Sequence, residues 1–199
     1  MSALISTKLL PRSYEAIRDQ IAAIILVEME NQRLLYRDDN LSVSVFCERF
    51  GSYDPAEGNV INVVLASGVF DNHSIFTQRD ELVYYIDVFT SSSGSILAQG
   101  DNRVSVLNHR IVGMVNAIFN DQAYVRLGLA NGIIESRRTT NISFSPYPED
   151  NDFVKIGRLT LTVTAHEDFR DGSGTMEAYL NTVVKLSETD KGFKFEIIN

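Results

Sequence analysis

The chain carries a single cysteine, Cys47. One thiol makes neither an intrachain disulfide nor a metal cage, and a chain of 199 residues needs no such staple to bury a core. Cys47 lies in the apolar run Val43-Ser44-Val45-Phe46-Cys47, which reads as a small buried hydrophobe rather than a reactive thiol. This fits a reducing cytoplasm. Basic charge is also scarce. The 18 Lys and Arg stand against 26 Asp and Glu, for a formal net charge of −8. No Lys/Arg stripe appears, and the densest pairing is Arg137-Arg138. Phosphate contacts supply much of the affinity of a free nucleic-acid binder, so this balance disfavours one. It suits solubility, or a passage to which DNA must not adhere.

Long hydrophobic runs are missing too. The longest nearly apolar stretch, 21–29, contains Glu28 and is under half of the roughly twenty residues a membrane span needs. The opening residues place Lys8 after Leu4 and Ile5, the reverse of a secretory signal, so neither secretion nor membrane insertion is expected.

Catalytic signatures are absent as well. There is no Gly-x-Ser-x-Gly elbow, phosphate-binding loop or dinucleotide fingerprint. Gly172-Ser173-Gly174 reads as a turn. His73, His109 and His166 are far apart in sequence; His109 reads as an ordinary mid-helix histidine. His166-Glu167-Asp168 ends a strand, where neighbours point to opposite faces and cannot converge on a metal. Glu149, Asp150 and Asp152, and likewise Glu167, Asp168 and Asp171, cluster in expected turns and read as solvated acids. Asp87 stands out because it lies in the strongest strand, where a charge finds a partner, faces water or guards an edge. No catalytic residue, cofactor site or metal site is therefore assigned, and the chain is not expected to be an enzyme.

What is present is α+β patterning. A helix over about 13–35 is expected from the stripe Tyr14, Ile17, Ile21, Ile24 and Glu28, with Ser13 as its N-cap. Strands follow at 41–48, 60–66 and 81–90, the last apolar on both faces and so central, or covered by a helix and a neighbouring chain. Between the last two, 67–80 reads as a long connection. A second helix over 101–120, capped by Asp101 or Asn102, has the stripe Val104, Leu107, Ile111, Val115 and Ile118. Gly113 within it suggests close approach of another backbone. Strands at 124–129, 133–144 and 153–166 and a terminal hairpin complete the pattern. The expected fold is one α+β domain over 1–199. Its antiparallel or mixed sheet has about four to five strands, with two helices on one face. A strand-rich insertion lies near 123–152 and a C-terminal β-hairpin near 177–198.

Apolar residues outside regular elements either fold back on the core or dock on a neighbour. Phe70, Ile75 and Phe76 in the expected connection, with Phe193 and Phe195 in the hairpin, are the candidate subunit or partner contacts.

The order of elements resembles the bacteriophage tail terminator (tail completion) family. The likeness rests on the helix from Ser13-Tyr14-Glu15-Ala16-Ile17, the strand Glu81-Leu82-Val83-Tyr84-Tyr85-Ile86-Asp87-Val88-Phe89 and the helix from Asn102-Arg103-Val104-Ser105-Val106. The late strand Gly157-Arg158-Leu159-Thr160-Leu161-Thr162-Val163-Thr164 is expected to close the sheet. It is a likeness of arrangement and carries over no site residue. It implies a homohexameric ring in the virion neck, made in the host bacterial cytoplasm. Such a ring caps the tail tube and meets the head-side connector, with DNA only in passage and no membrane contact. Another tail or neck subunit (tube or baseplate), a small-ligand-binding domain and an enzyme with an unfamiliar site are the alternatives.

Overall fold

A computed structural model describes residues 12–72, 77–91, 97–146, 154–168, 184–189 and 191–197. Helix α1 (Ser13–Tyr36) is followed by strands β1 (Val43–Cys47), β2 (Asn59–Asn72) and β3 (Thr77–Ser91). Helix α2 (Leu97–Asn120), strands β4 (Ile134–Pro146) and β5 (Val154–Asp168), and the hairpin β6 (Val184–Thr189) and β7 (Gly192–Ile197) complete the chain. Among the described residues the strands form one seven-stranded mixed sheet in the order β4-β5-β3-β2-β1-β7-β6. The α+β expectation holds, with both helices on one face; the hairpin extends the sheet beyond β1, where α1 reaches over β7. Only β1 and β2 run parallel.

The periodicities explain the layers. In α1, Ile17, Ile21, Ile25 and Met29 are fully buried, and no glycine or proline interrupts the helix. It stops where Arg37 turns left-handed at φ 51°. In β3, Leu82, Tyr84, Ile86 and Val88 are fully buried on the helix side. Their register partners Leu159, Leu161 and Val163 on β5 face the same way. These residues, with Ile111, Val115 and Phe119 of α2, form the main core. Asn108, also on the buried stripe of α2, donates its amide to the carbonyls of Val88 (2.9 Å) and Lys155 (3.2 Å). It thereby ties α2 to β3 and to the start of β5.

On the opposite face, the loop 48–58 folds back over one end of the sheet. It places Tyr53 against Phe46, Val60 and Val154, with the Tyr53 and Phe89 rings stacked 5.3 Å apart. The rest of that face mixes Asn62, Asp87, Arg158 and threonines with the half-buried Val64, Val83 and Tyr85. Asp87 accepts two hydrogen bonds from Arg158, at 2.6 and 2.8 Å, and the Arg158 guanidinium lies 4.2 Å from the centre of the Tyr85 ring. Asp87 has thus found a partner within an interior strand.

Several expectations are corrected. Residues 67–80 are not a long connection: β2 continues to Asn72 and β3 begins at Thr77, across an irregularity between Leu65 and Ser67. Residues 124–129 form turns, because Leu127 (φ 52°) and Gly128 (φ 70°) both take left-handed conformations that a strand excludes. β5 does not close the sheet but lies between β3 and β4, which is the edge. α2 starts at Leu97, ahead of the expected caps, and Gly113 has open space where a Cβ would stand. Arg12, not Ser13, occupies the N-cap position, without a side-chain cap. Ser13 instead turns its hydroxyl toward Asp80 and Glu167.

Cys47 is fully buried and its Sγ lies 4.0 Å from the Arg18 carbonyl oxygen. Burial pushes its thiol well above the ordinary range. A thiol reagent that reacts with unfolded chain in seconds is therefore expected to modify native protein at least a hundredfold more slowly, at about the rate of opening. Stopped-flow labelling with and without denaturant checks this; equal rates would show that β1 is not packed as described.

Candidate interaction surface

The sheet ends in two unlike edges. Along β4, Ile142 and Phe144 remain 38% and 44% exposed although they point to the helix side, because that strand reaches past the cover of α2. His109 of α2 lies over Phe144, ring centres 4.0 Å apart, so this histidine is stacked as well as exposed. The beginning of β4 is held by Arg137, whose guanidinium donates to the carbonyls of Tyr124 and Asp121. The other edge is β6, carried on β7, which pairs with β1 through Val45↔Phe195, Phe46↔Lys194 and Cys47↔Phe193.

Of the residues singled out as contacts, Phe70 is half exposed near the far end of β2, edge-on to Tyr14 at 6.4 Å. A Cβ on Gly68 would meet its ring at 3.1 Å, so Phe70 leans back along its own strand. Phe193 is 39% exposed on β7, level with Cys47 and Val63. The two lie on different strands and at different levels of the sheet, and form no common patch. Phe195 is corrected: it is 2% exposed and sits inside the main core, with no surface to offer a partner. Its alternation with Phe193 does not separate the two, because both point to the helix side. What separates them is α1, which covers one and not the other. Ile75 and Phe76 lie outside the described residues, as do His73, Glu149, Asp150, Asp152 and Asp171.

The sequence did not mark the exposed end of α1, where Leu34, Leu35 and Tyr36 are each more than half exposed. A run of three apolar residues passing through the polar faces of a helix was the available signal. The Arg110 guanidinium lies 4.6 Å from the centre of the Tyr36 ring and Arg110 pairs with Asp38 at 3.2 Å, linking α2 to this corner.

Clefts are small. One of about 210 Å³ between α2 and the ends of β4 and β5 is lined by Ser105, Asn108, His109, Phe144 and Lys155. Another of about 270 Å³ is lined by Asp39, Asn40, Glu57, Asn59 and Ser91. Ligand pockets ordinarily span roughly 300–1,000 Å³. Among the described residues no group of three His, Cys, Asp or Glu side chains is placed to hold a metal. His166 and Glu167 diverge: His166 meets Glu135 at 3.0 Å, and Glu167 meets Ser13 at 3.2 Å. Arg79, bonded to Glu135, holds that carboxyl below its usual range. Among the described residues no helix is long and apolar enough to cross a membrane.

No protein-family model matches the chain, and no curated protein matches it.

Proposed function

We propose that the protein is a structural subunit of a bacteriophage virion, of the tail-terminator type. In this reading it assembles head to tail into a ring that caps the tail tube and joins it to the head-side connector. The observation that carries this reading is the pair of unlike strands, β4 and β6, that end the single sheet among the described residues. A patch that meets a different patch on the next copy makes a heterologous contact, and such contacts generate rings when the rotation closes. An edge strand presents unpaired backbone groups that a neighbouring strand satisfies. The order α1, β1–β3, α2 and the later β5 is also the order on which the family likeness rests. The acidic balance of the chain suits a channel along which DNA slides.

Light scattering over a concentration series, with negative-stain images of the same sample, tests this. Rings of about six copies with a central hole are the expected result. The double variant I142K/F144K puts charge on the exposed part of β4. It is expected to weaken assembly at least tenfold, about 1.4 kcal/mol, while leaving the melting temperature within a few degrees of wild type. A monomer at every concentration that is not recruited by added tail tubes would defeat the proposal.

A further inference from the structure

Three oxygens meet where α1 begins. Ser13 is 1% exposed and Asp80 is fully buried. Ser13 Oγ lies 3.0 Å from Asp80 Oδ2 and 3.2 Å from Glu167 Oε2. A hydroxyl has one proton and donates it once, yet keeps lone pairs that accept. If both carboxyls were ionised, one of these contacts would set a lone pair against a carboxylate with no proton between them. Away from water that arrangement is costly. It becomes a hydrogen bond when one carboxyl keeps its proton and donates it to Ser13.

The surroundings decide which acid that is. Asp80 already receives a second donor, Gln78 Nε2, on its other oxygen at 2.6 Å, and two donors suit an ionised carboxylate. Glu167 has Arg12 at 3.6 Å, beyond hydrogen-bond reach, and the Arg12 side chain is 46% exposed to water that screens it. Burial raises the pKa of Glu167; Arg12 and Ser13 oppose that rise and the neighbouring Asp80 adds to it.

The other polar groups nearby are otherwise engaged. Tyr84 gives its hydroxyl to the Tyr14 carbonyl at 2.8 Å, and burial holds that phenol protonated. Arg18 is paired with Asp19 at 2.8 Å. Arg79 and His166 both bond Glu135, and both lie on the opposite face of the sheet.

We propose that Glu167 keeps a proton that it donates to Ser13 while Ser13 donates to Asp80, and that this relay clamps the first turn of α1 to β3 and β5. Losing the proton leaves two carboxylates facing one hydroxyl, and the first turn loosens. That turn carries Tyr14, the ring against Phe70, so the clamp also sets the half-exposed corner of β2. The inference does not depend on ring assembly, because it concerns contacts within one chain.

The sign of the pH effect follows. An acid whose pKa is higher folded than unfolded takes up a proton on folding. Its contribution is present below the ordinary glutamate value of about 4.3 and is lost as pH rises through the folded value. Glu167→Gln is neutral throughout and escapes that loss. The experiment is a carbon-detected NMR titration of the side-chain carboxyls of wild-type protein, paired with thermal unfolding of wild type and Glu167→Gln from about pH 4 to about pH 8.

The expected midpoint for Glu167 is at least one unit above about 4.3, a tenfold effect on the folded-to-unfolded ratio. The melting-temperature advantage of Glu167→Gln is expected to grow with pH. Amide protection over residues 14–17 is expected to fall with pH in wild type and not in the variant. Ser13→Ala, which removes the acceptor of that proton, is expected to lower the Glu167 midpoint, whereas a rise would mean that Ser13 donates to an ionised Glu167. A Glu167 midpoint at or below its ordinary value would overturn the proposal, and this titration decides even if Glu167→Gln does not fold.

Discussion

Replacing Gly157 with valine is expected to abolish stable folding at 37 °C, and replacing it with alanine to cost about 2–3 kcal/mol. At this chain length that is a fall of roughly 4–12 °C in melting temperature. The cause is a point contact between layers. A Cβ on Gly157 would stand 2.5 Å from Val112 Cγ2, 2.6 Å from Asn108 Oδ1 and 3.1 Å from Phe144 Cε1. The two nearest have no easy retreat. Val112 is 1% exposed on α2, and Asn108 is held by the carbonyls of Val88 and Lys155. Phe144 is stacked on His109. Gly157 is therefore the position on β5 where α2 comes down onto the sheet. Shaving the helix should relieve the clash, so Val112→Ala combined with Gly157→Ala is expected to melt above the sum of its parts by at least 1 kcal/mol of coupling. An unchanged melting temperature in Gly157→Ala would mean that α2 is not seated there.

The second large effect is expected from Arg49→Ala, about 3 kcal/mol. The Arg49 side chain is 3% exposed and bonds Glu57, which also receives Lys191 from the turn between β6 and β7. Its second nitrogen donates to the Ser52 carbonyl, and its guanidinium lies 5.0 Å from the centre of the Phe46 ring. Arg49 holds Glu57 below its usual pKa, so this carboxylate adds stability above about pH 4.3 that disappears as pH falls. One side chain thus fastens the loop 48–58 and, through Glu57, the hairpin. Removing it is expected to lower amide protection in β7 before that in β3. Arg49→Lys should not restore it, since an ammonium cannot serve both the carboxylate and the carbonyl from the same place. Equal loss of protection in β7 and β3 would show that Arg49 acts only on global stability.

The parts of the fold that were legible are those whose period is unbroken. α1, α2, β3 and β5 each repeat their apolar positions at helical or strand spacing over several turns or pairs, and burial follows that repeat. β2 was read short because Gly68, Asp71 and Asn72 look like loop. The strand persists there because β3 pairs with it as far as Asn72↔Gln78. The converse failure is at Val125, Leu127 and Leu129. They alternate like a strand, yet Leu127 and Leu129 are anchors that a turn drops into the core. Asn108 could not be found from its neighbours, since its carbonyl partners lie far away along the chain. The surface candidates fared unevenly for a similar reason. Whether Phe193 or Phe195 is covered depends on where α1 crosses, which no local pattern records.

The pairing of β1 with β7 has a consequence for biosynthesis. Val45 meets Phe195, a partner that leaves the ribosome long after β1 has been made. Until then the outer edge of β1 has no strand beside it, and Cys47 lacks the Phe193 backbone alongside. β5, the inner neighbour of β3, also arrives late. Contacts this distant in sequence form slowly, and an uncovered edge recruits other chains while it waits. The nascent chain therefore passes through an interval in which α1, β1 and β2 are complete but cannot close. During that interval the edge of β1 stands open to other chains, and the late pairing with β7 is what closes it.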